Sequence, residues 1–195
     1  MIRHSLILTL FFLFLSGCAQ KTATQTVLYA DWKTRLANQQ TWHIKGKLAF
    51  ISPDERQSAN LNWQQFKNKN TLSLTSFIGI QVLALEQTPD QAHLKFDGEE
   101  YKARDAQQLL QQLTGLTLPL NKAGDWLKGT SNSANLLVDE LGRARSVSWL
   151  DNSAINWHID YSNYIQENGF WLPTKLTLTH QKIKIKIQIN NWQFN

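Results

Sequence analysis

Cys18 is the only thiol in a chain of 195 residues. It follows two small residues, Ser16 and Gly17, which close an almost unbroken apolar run from Leu6 to Leu15. A thiol can pair in a disulfide, ligate a metal, act as a nucleophile or be acylated. With no second cysteine the first route is closed. Metal chemistry has little to build on, because His43, His93, His158 and His180 stand singly on predicted strands. Each is more simply a solvent-facing or hydrogen-bonded strand residue than a ligand. No Gly-x-Ser-x-Gly elbow and no Gly-x-x-x-x-Gly-Lys loop occurs anywhere. Glu99 and Glu100 sit beside the turn signal Asp97-Gly98 and read as a solvated loop. The residue types point away from an enzyme, a cofactor or a metal site, and toward chemistry done to Cys18.

The surroundings of that cysteine say which chemistry. Arg3 and His4, then the apolar run, then small residues, give the layout of an export signal. The run is too short to cross a bilayer, which needs about 20 apolar residues. Leu15-Ser16-Gly17-Cys18 resembles a bacterial lipobox. The resemblance implies that residues 1–17 are removed as a lipoprotein signal peptide and that Cys18 is lipidated as residue one of the mature protein. Ala19 in place of an aspartate implies delivery to the outer membrane, with the domain facing the periplasm. Two or more acyl chains make such an anchor stable, since each buried methylene contributes about 0.8 kcal/mol. An ordinary export signal that happens to contain a cysteine is the plainer alternative.

The elements that follow must be positioned by what remains. Residues 18–26 are small and polar without periodicity, a flexible tether; residues 27–195 are the right size for a single domain. Twenty basic against fifteen acidic residues give a net charge of +5, spread out rather than gathered into the basic stripe that nucleic acid requires. Eight tryptophans, Trp32, Trp42, Trp63, Trp126, Trp149, Trp157, Trp171 and Trp192, suit a core, a wide cavity or a membrane interface alike.

Leu28, Trp32 and Leu36 recur every four residues and predict a first helix. The period then drops to two. Trp42, Ile44, Leu48 and Phe50 form one face of a strand over 41–51, with Gly46 on that face marking a bend or close approach. Further strands are predicted through Leu61 and Trp63, Leu72 and Leu74, Leu83 and Leu85, and Ala92 to Phe96. Helical spacing returns over Arg104 to Leu113, stopped by Gly115, and Asn121 is a plausible cap for a short helix carrying Trp126 and Leu127. Strands resume at 135–139, through Val147 and Trp149, through Trp157, Ile159 and Tyr161, and after the hairpin signal Asn168-Gly169. The last is the cleanest, with Ile183, Ile185, Ile187 and Ile189 set against Lys182, Lys184 and Lys186 as on a solvent-facing sheet edge. Ten or eleven antiparallel strands with one apolar face curl rather than stay flat. The concave side must then be filled by side chains alone or by side chains and a ligand.

The ordered set Trp42-x-Ile44-x-Gly46-Lys47-Leu48-Ala49, Asn62-Trp63, Phe77-Ile78-Gly79, Leu113-Thr114-Gly115-x-x-x-Pro119-Leu120, Trp126-Leu127-x-Gly129, Leu172-Pro173 and Trp192 resembles the LolB family. The resemblance covers nearly all of the chain after the lipobox. It implies a mainly β, α+β fold: an incomplete, open antiparallel barrel of about 11 strands, with about three helices covering an apolar cavity. It also implies a monomeric receptor that takes lipoproteins from a LolA-like periplasmic carrier, shelters their acyl chains and places them in the outer membrane.

Two sites follow as expectations. Phe77, Ile78 and Gly79 form an apolar hairpin tip, with Ile78 where the family carries a protruding leucine; the tip would enter the membrane. Trp42, Leu48, Phe50, Leu61, Trp63, Leu72, Leu74, Leu94, Trp157, Ile187 and Ile189 share the inward face and would line the cavity. Against this stand a structural outer-membrane lipoprotein that binds no cargo and, less favoured by the residues, an enzyme.

Overall fold

The period-two segments form the strands β1 (Trp42–Ile51), β2 (Arg56–Phe66), β3 (Lys69–Thr75), β4 (Gln81–Gln87), β5 (Ala92–Phe96), β6 (Glu99–Ala103), β7 (Leu137–Val138), β8 (Ala144–Leu150), β9 (Asn156–Glu167), β10 (Phe170–His180) and β11 (Ile183–Phe194). The period-four segments form α1 (Trp32–Ala37), α2 (Ala106–Thr114) and α3 (Ala123–Lys128), the last entered through a 3-10 turn at Leu120–Lys122. This computed structural model describes residues 27–115, 118–150 and 156–194. The expected signal peptide, Cys18 and the tether lie outside the described residues.

All eleven strands belong to one antiparallel sheet in the order β6-β5-β4-β3-β2-β1-β11-β10-β9-β8-β7. The first and last strands pair with each other, so two meanders are stitched along β1 and β11. The edges left over are β6 and β7, and between them in the chain come α2, the 3-10 turn and α3. The sheet is therefore open where helices replace the closing hydrogen bonds. Helix α2 packs on β4, β5 and β6, while α1 and α3 pack on β10 and on each other.

Gly46 is the close approach its position predicts. The β1–β11 register shifts between Lys45 and Gly46, and a Cβ on Gly46 would lie 1.9 Å from the carbonyl oxygen of Gln188. Only a residue without a side chain lets the two strands pair there.

Four expectations are corrected. Glu99 and Glu100 are not loop residues but open β6, paired with Phe96 and Lys95. Asp97 (φ 52) and Gly98 (φ 80) form the same kind of tight turn as Asn168 (φ 51) and Gly169 (φ 80). An edge strand with only Tyr101 and Ala103 half-buried carries too weak an alternation to be seen. Asn121 does not cap α3: it lies within the 3-10 turn, and Lys122 occupies the cap position without a side-chain bond. The strand expected over 135–139 shrinks to Leu137–Val138 at the sheet edge. Lys184 and Lys186 do face solvent, but β11 is central, paired on both sides by β1 and β10.

Candidate functional site

In an antiparallel meander alternate connections share an end of the barrel. The turns after β1, β3, β5 and β10 therefore lie together, and the turns after β2, β4 and β9 lie at the opposite end. The two ends differ in how the concave face is covered.

At the end where β1 begins the interior is filled. The Trp63 ring packs edge-on to Trp42 at 5.9 Å and to Trp126 of α3 at 5.6 Å. The indole of Trp63 donates to Asn70 Oδ1 at 2.7 Å, and that of Trp126 to the Pro119 carbonyl at 3.1 Å. Gly124 of α3 leaves room for the Trp42 ring, which would stand 3.0 Å from a Cβ there. Trp42 and Trp63, expected to line a cavity, are thus committed to aromatic packing beneath a helix. Beside them a cleft of about 620 Å3 opens between α2 and the turns after β2 and β4. Gln65, Asn70, Gln87, Gln108 and Gln111 line it together with Trp63, Leu85 and Leu120, so this volume is a mixed cleft rather than an apolar hollow.

Toward the other end the helical cover runs out. Leu61, Leu72, Leu94, Trp157, Ile187 and Ile189 are buried, whereas Leu48, Phe50 and Leu74 are only half-buried, as are Leu83 and Ile185 beside them. Register places Phe50 against Ile185 and Ile185 against Leu178, and Leu74 against Leu83. The result is a broad apolar face, closed at its base and uncovered near its rim. Phe96, paired with Leu83, is 46% exposed.

The hairpin between β3 and β4 stands at this same end. Its backbone is held by Ser76 N–H donating to the Ile80 carbonyl at 2.8 Å and Gly79 N–H donating to the Ser76 carbonyl at 3.0 Å. Gly79 takes φ +85°, so the turn is built rather than loose. Phe77 is 92% exposed and Ile78 65%, with Ile80 and Val82 also exposed. Phe77 is the most exposed large apolar residue among the described residues.

The structure also uses residues that the sequence did not single out. Lys128 is buried, and its ammonium donates to the carbonyls of Leu36, Ala37 and Gln39 at 2.9–3.1 Å, capping the C-terminal end of α1. Burial holds its pKa below the ordinary lysine value. Tyr161 donates to the Trp126 carbonyl at 2.6 Å and Tyr164 to that of Ala144 at 2.7 Å; burial raises both phenol pKa values. The histidines behave as expected on three strands. His43 lies between Asn62 and Gln193, His93 meets Glu100 at 3.1 Å, and His158 meets Ser148 at 2.8 Å and Asp160 at 3.0 Å. His180 differs, for it is buried and stacked on Trp157 with ring centroids 4.5 Å apart.

The comparisons with known proteins agree with this geometry. A family model described as outer membrane lipoprotein LolB matches residues 40–192. A relative from Pseudoalteromonas translucida named outer-membrane lipoprotein LolB is 57% identical over 195 residues, spanning the whole of this chain and 96% of its own. The chain belongs to the LolB family. A further LolB from Shewanella oneidensis is 32% identical over 183 residues, covering 93% of this chain and 85% of its own. Membership in LolB makes this chain an outer-membrane lipoprotein.

Solved structures extend the likeness to fold alone. A LolA superfamily protein from Nitrosomonas europaea superposes with a TM-score of 0.56 at 10% identity, covering 81% of this chain and 87% of that one. A domain from Vibrio parahaemolyticus assigned to outer membrane lipoprotein sorting gives a TM-score of 0.56 at 9% identity, covering 84% and 89%. This chain shares its overall fold with both structures.

Proposed function

We propose that this LolB-family protein is anchored through Cys18, receives lipoproteins from a LolA-like carrier, shelters their acyl chains against the uncovered apolar face and delivers them to the outer membrane as a monomer. The observation that carries the reading is the placement of the exposed Phe77-Ile78 tip at the end where the concave face is uncovered. A tip that enters lipid brings the mouth of the hollow to the bilayer surface.

The energetics require such a device. An acyl chain of more than a dozen methylenes left in water costs on the order of 10 kcal/mol at ~0.8 kcal/mol per methylene. Sheltering it removes most of that cost during transit. Each tenfold preference of this acceptor over the donor needs about 1.4 kcal/mol, and the bilayer must hold the chain more tightly still. The gradient runs downhill from carrier to receptor to membrane, so no fuel and no catalytic residue is called for.

Phe77, Ile78 and Ile80 serve the last step. Each gains about 1.5–3 kcal/mol when its exposed side chain leaves water for lipid. The test separates the two steps. Ile78→Glu should accept a lipoprotein from the carrier at the wild-type level but leave it undelivered to liposomes. Normal delivery by that variant removes the tip from the mechanism. A structural lipoprotein without cargo would neither accept nor deliver.

A further inference from the structure

Three buried nitrogens have no hydrogen-bond partner among the described residues: Nε1 of Trp149, Nε1 of Trp157 and Nδ1 of His180. An unpaired buried donor costs about 1–3 kcal/mol, and native interiors keep few of them. This chain satisfies comparable groups elsewhere: Trp63 donates to Asn70, Trp126 to Pro119, and Trp192 to the Pro173 carbonyl at 2.8 Å. The exceptions are not scattered. Trp149 and Trp157 are register partners on β8 and β9, and Trp157 stacks on His180 at the end of β10 with an interplanar angle of 21°.

Their place in the fold is equally specific. The row lies at the end of the barrel that carries the Phe77 tip and the uncovered apolar face. One layer deeper, Val147, Ile159, Leu178, Ile185 and Phe50 run across the same strands as an unbroken apolar row. Trp157 and His180 are buried, while Trp149 is half-buried and so reaches the rim.

We infer that Trp149, Trp157 and His180 form a station for the carbonyl oxygens at the head of a bound acyl chain. An indole N–H can only donate, so the complementary ligand group is an acceptor, and His180 donates through Nδ1 in the matching tautomer. An acyl chain of a lipoprotein is apolar along its length and carries one strong acceptor, the ester or amide carbonyl, where it joins the head. With the tail along the half-buried Phe50 and Ile185, that oxygen comes to the end of β11 beside His180, where the row of donors begins. The inference rests on the acyl-sheltering reading and adds to it a fixed depth of insertion: the tail goes in until its carbonyl meets the row. Among the described residues these donors find no other acceptor, and the loaded state supplies one.

The test uses the full lipidated chain in nanodiscs of dialkyl ether phospholipid, so that the bilayer carries no carbonyl. Competing ligands are monopalmitoyl glycerol and its hexadecyl ether, of equal chain length but without the ester carbonyl. The wild-type protein should bind the ester about tenfold more tightly, equivalent to about 1.4 kcal/mol. The infrared carbonyl band of the isotope-labelled ester should shift to lower frequency on binding. Trp149→Phe/Trp157→Phe and His180→Leu should bring ester and ether affinities within twofold of each other and abolish the band shift. Should a variant fail to fold, the wild-type affinity ratio and band shift still decide. Equal wild-type affinities, with both ligands bound, would show that ordered water serves these donors and overturn the station alone. A preference that survives the substitutions does the same. Failure of either ligand to bind overturns the sheltering reading as well.

Discussion

The ammonium of Lys128 donates a hydrogen bond to the carbonyl oxygen of Gln39 at 2.9 Å, joining the last turn of α3 to the chain just beyond α1. The same nitrogen also serves Leu36 and Ala37, so one side chain ties together two carbonyls at the end of the helix and one just past it. It locks α1 onto the element that plugs the barrel.

Removing that nitrogen at constant bulk tests the lock. Lys128→Met should lower stability by about 1–2 kcal/mol, because the part-buried carbonyls of Ala37 and Gln39 lose their charged donor. Urea unfolding followed by tryptophan fluorescence measures it. A loss under 0.5 kcal/mol would mean that water replaces the ammonium without cost.

Gly46→Ala should be more damaging than any surface change. The added Cβ would stand 1.9 Å from the Gln188 carbonyl, inside the distance that real side chains keep from backbone. The β1–β11 ladder, which joins the two meanders, must open or shift, at a cost of about 3 kcal/mol or more. Thermal unfolding of the purified variant at an unchanged midpoint would show that the bulge has slack.

Tyr161 and Tyr164 set a limit at alkaline pH. Burial raises both phenol pKa values, so above the ordinary value of 10.0 the unfolded chain gives up protons that the folded one keeps. Stability is therefore intact below pH 10 and falls as pH rises beyond it. The double variant Tyr161→Phe/Tyr164→Phe should lose about 1–2 kcal/mol at neutral pH with its two hydrogen bonds and show a flatter decline above pH 10. Stability measured from pH 8 to 11 decides; parallel curves for the two proteins would remove the phenols as the cause.

How far the sequence carried is visible in single residues. Ile185, Ile187 and Ile189 alternate with lysines and glutamine so cleanly that their strand and inward face are evident, and Asn168-Gly169 announces its hairpin. Gly46 was legible because a gap in an apolar face is itself a signal. Strand β6 was not, since Glu99 and Glu100 on an exposed edge look like loop residues and only register reveals the pairing. Nor was Lys128, whose carbonyl partners lie about ninety positions away and arise from packing of α1 on α3. The inward residues were read as one face, but their depth was not. Trp42 and Trp63 are plugged by Trp126, while Leu48 and Phe50 remain half-uncovered, a difference made by where the helices lie.

The most direct measurement asks where an acyl chain rests. A lipoprotein carrying a photoreactive group midway along its acyl chain is passed from the carrier to this protein, irradiated, and the attached peptides are mapped by mass spectrometry. Attachment should fall on the inward side chains of the uncovered face, Leu48, Phe50, Leu74 and Ile185, and spare Lys47, Lys184 and Lys186 on the convex side. Attachment confined to the convex side, or to the Phe77-Ile78 tip alone, would contradict an interior that shelters the chain.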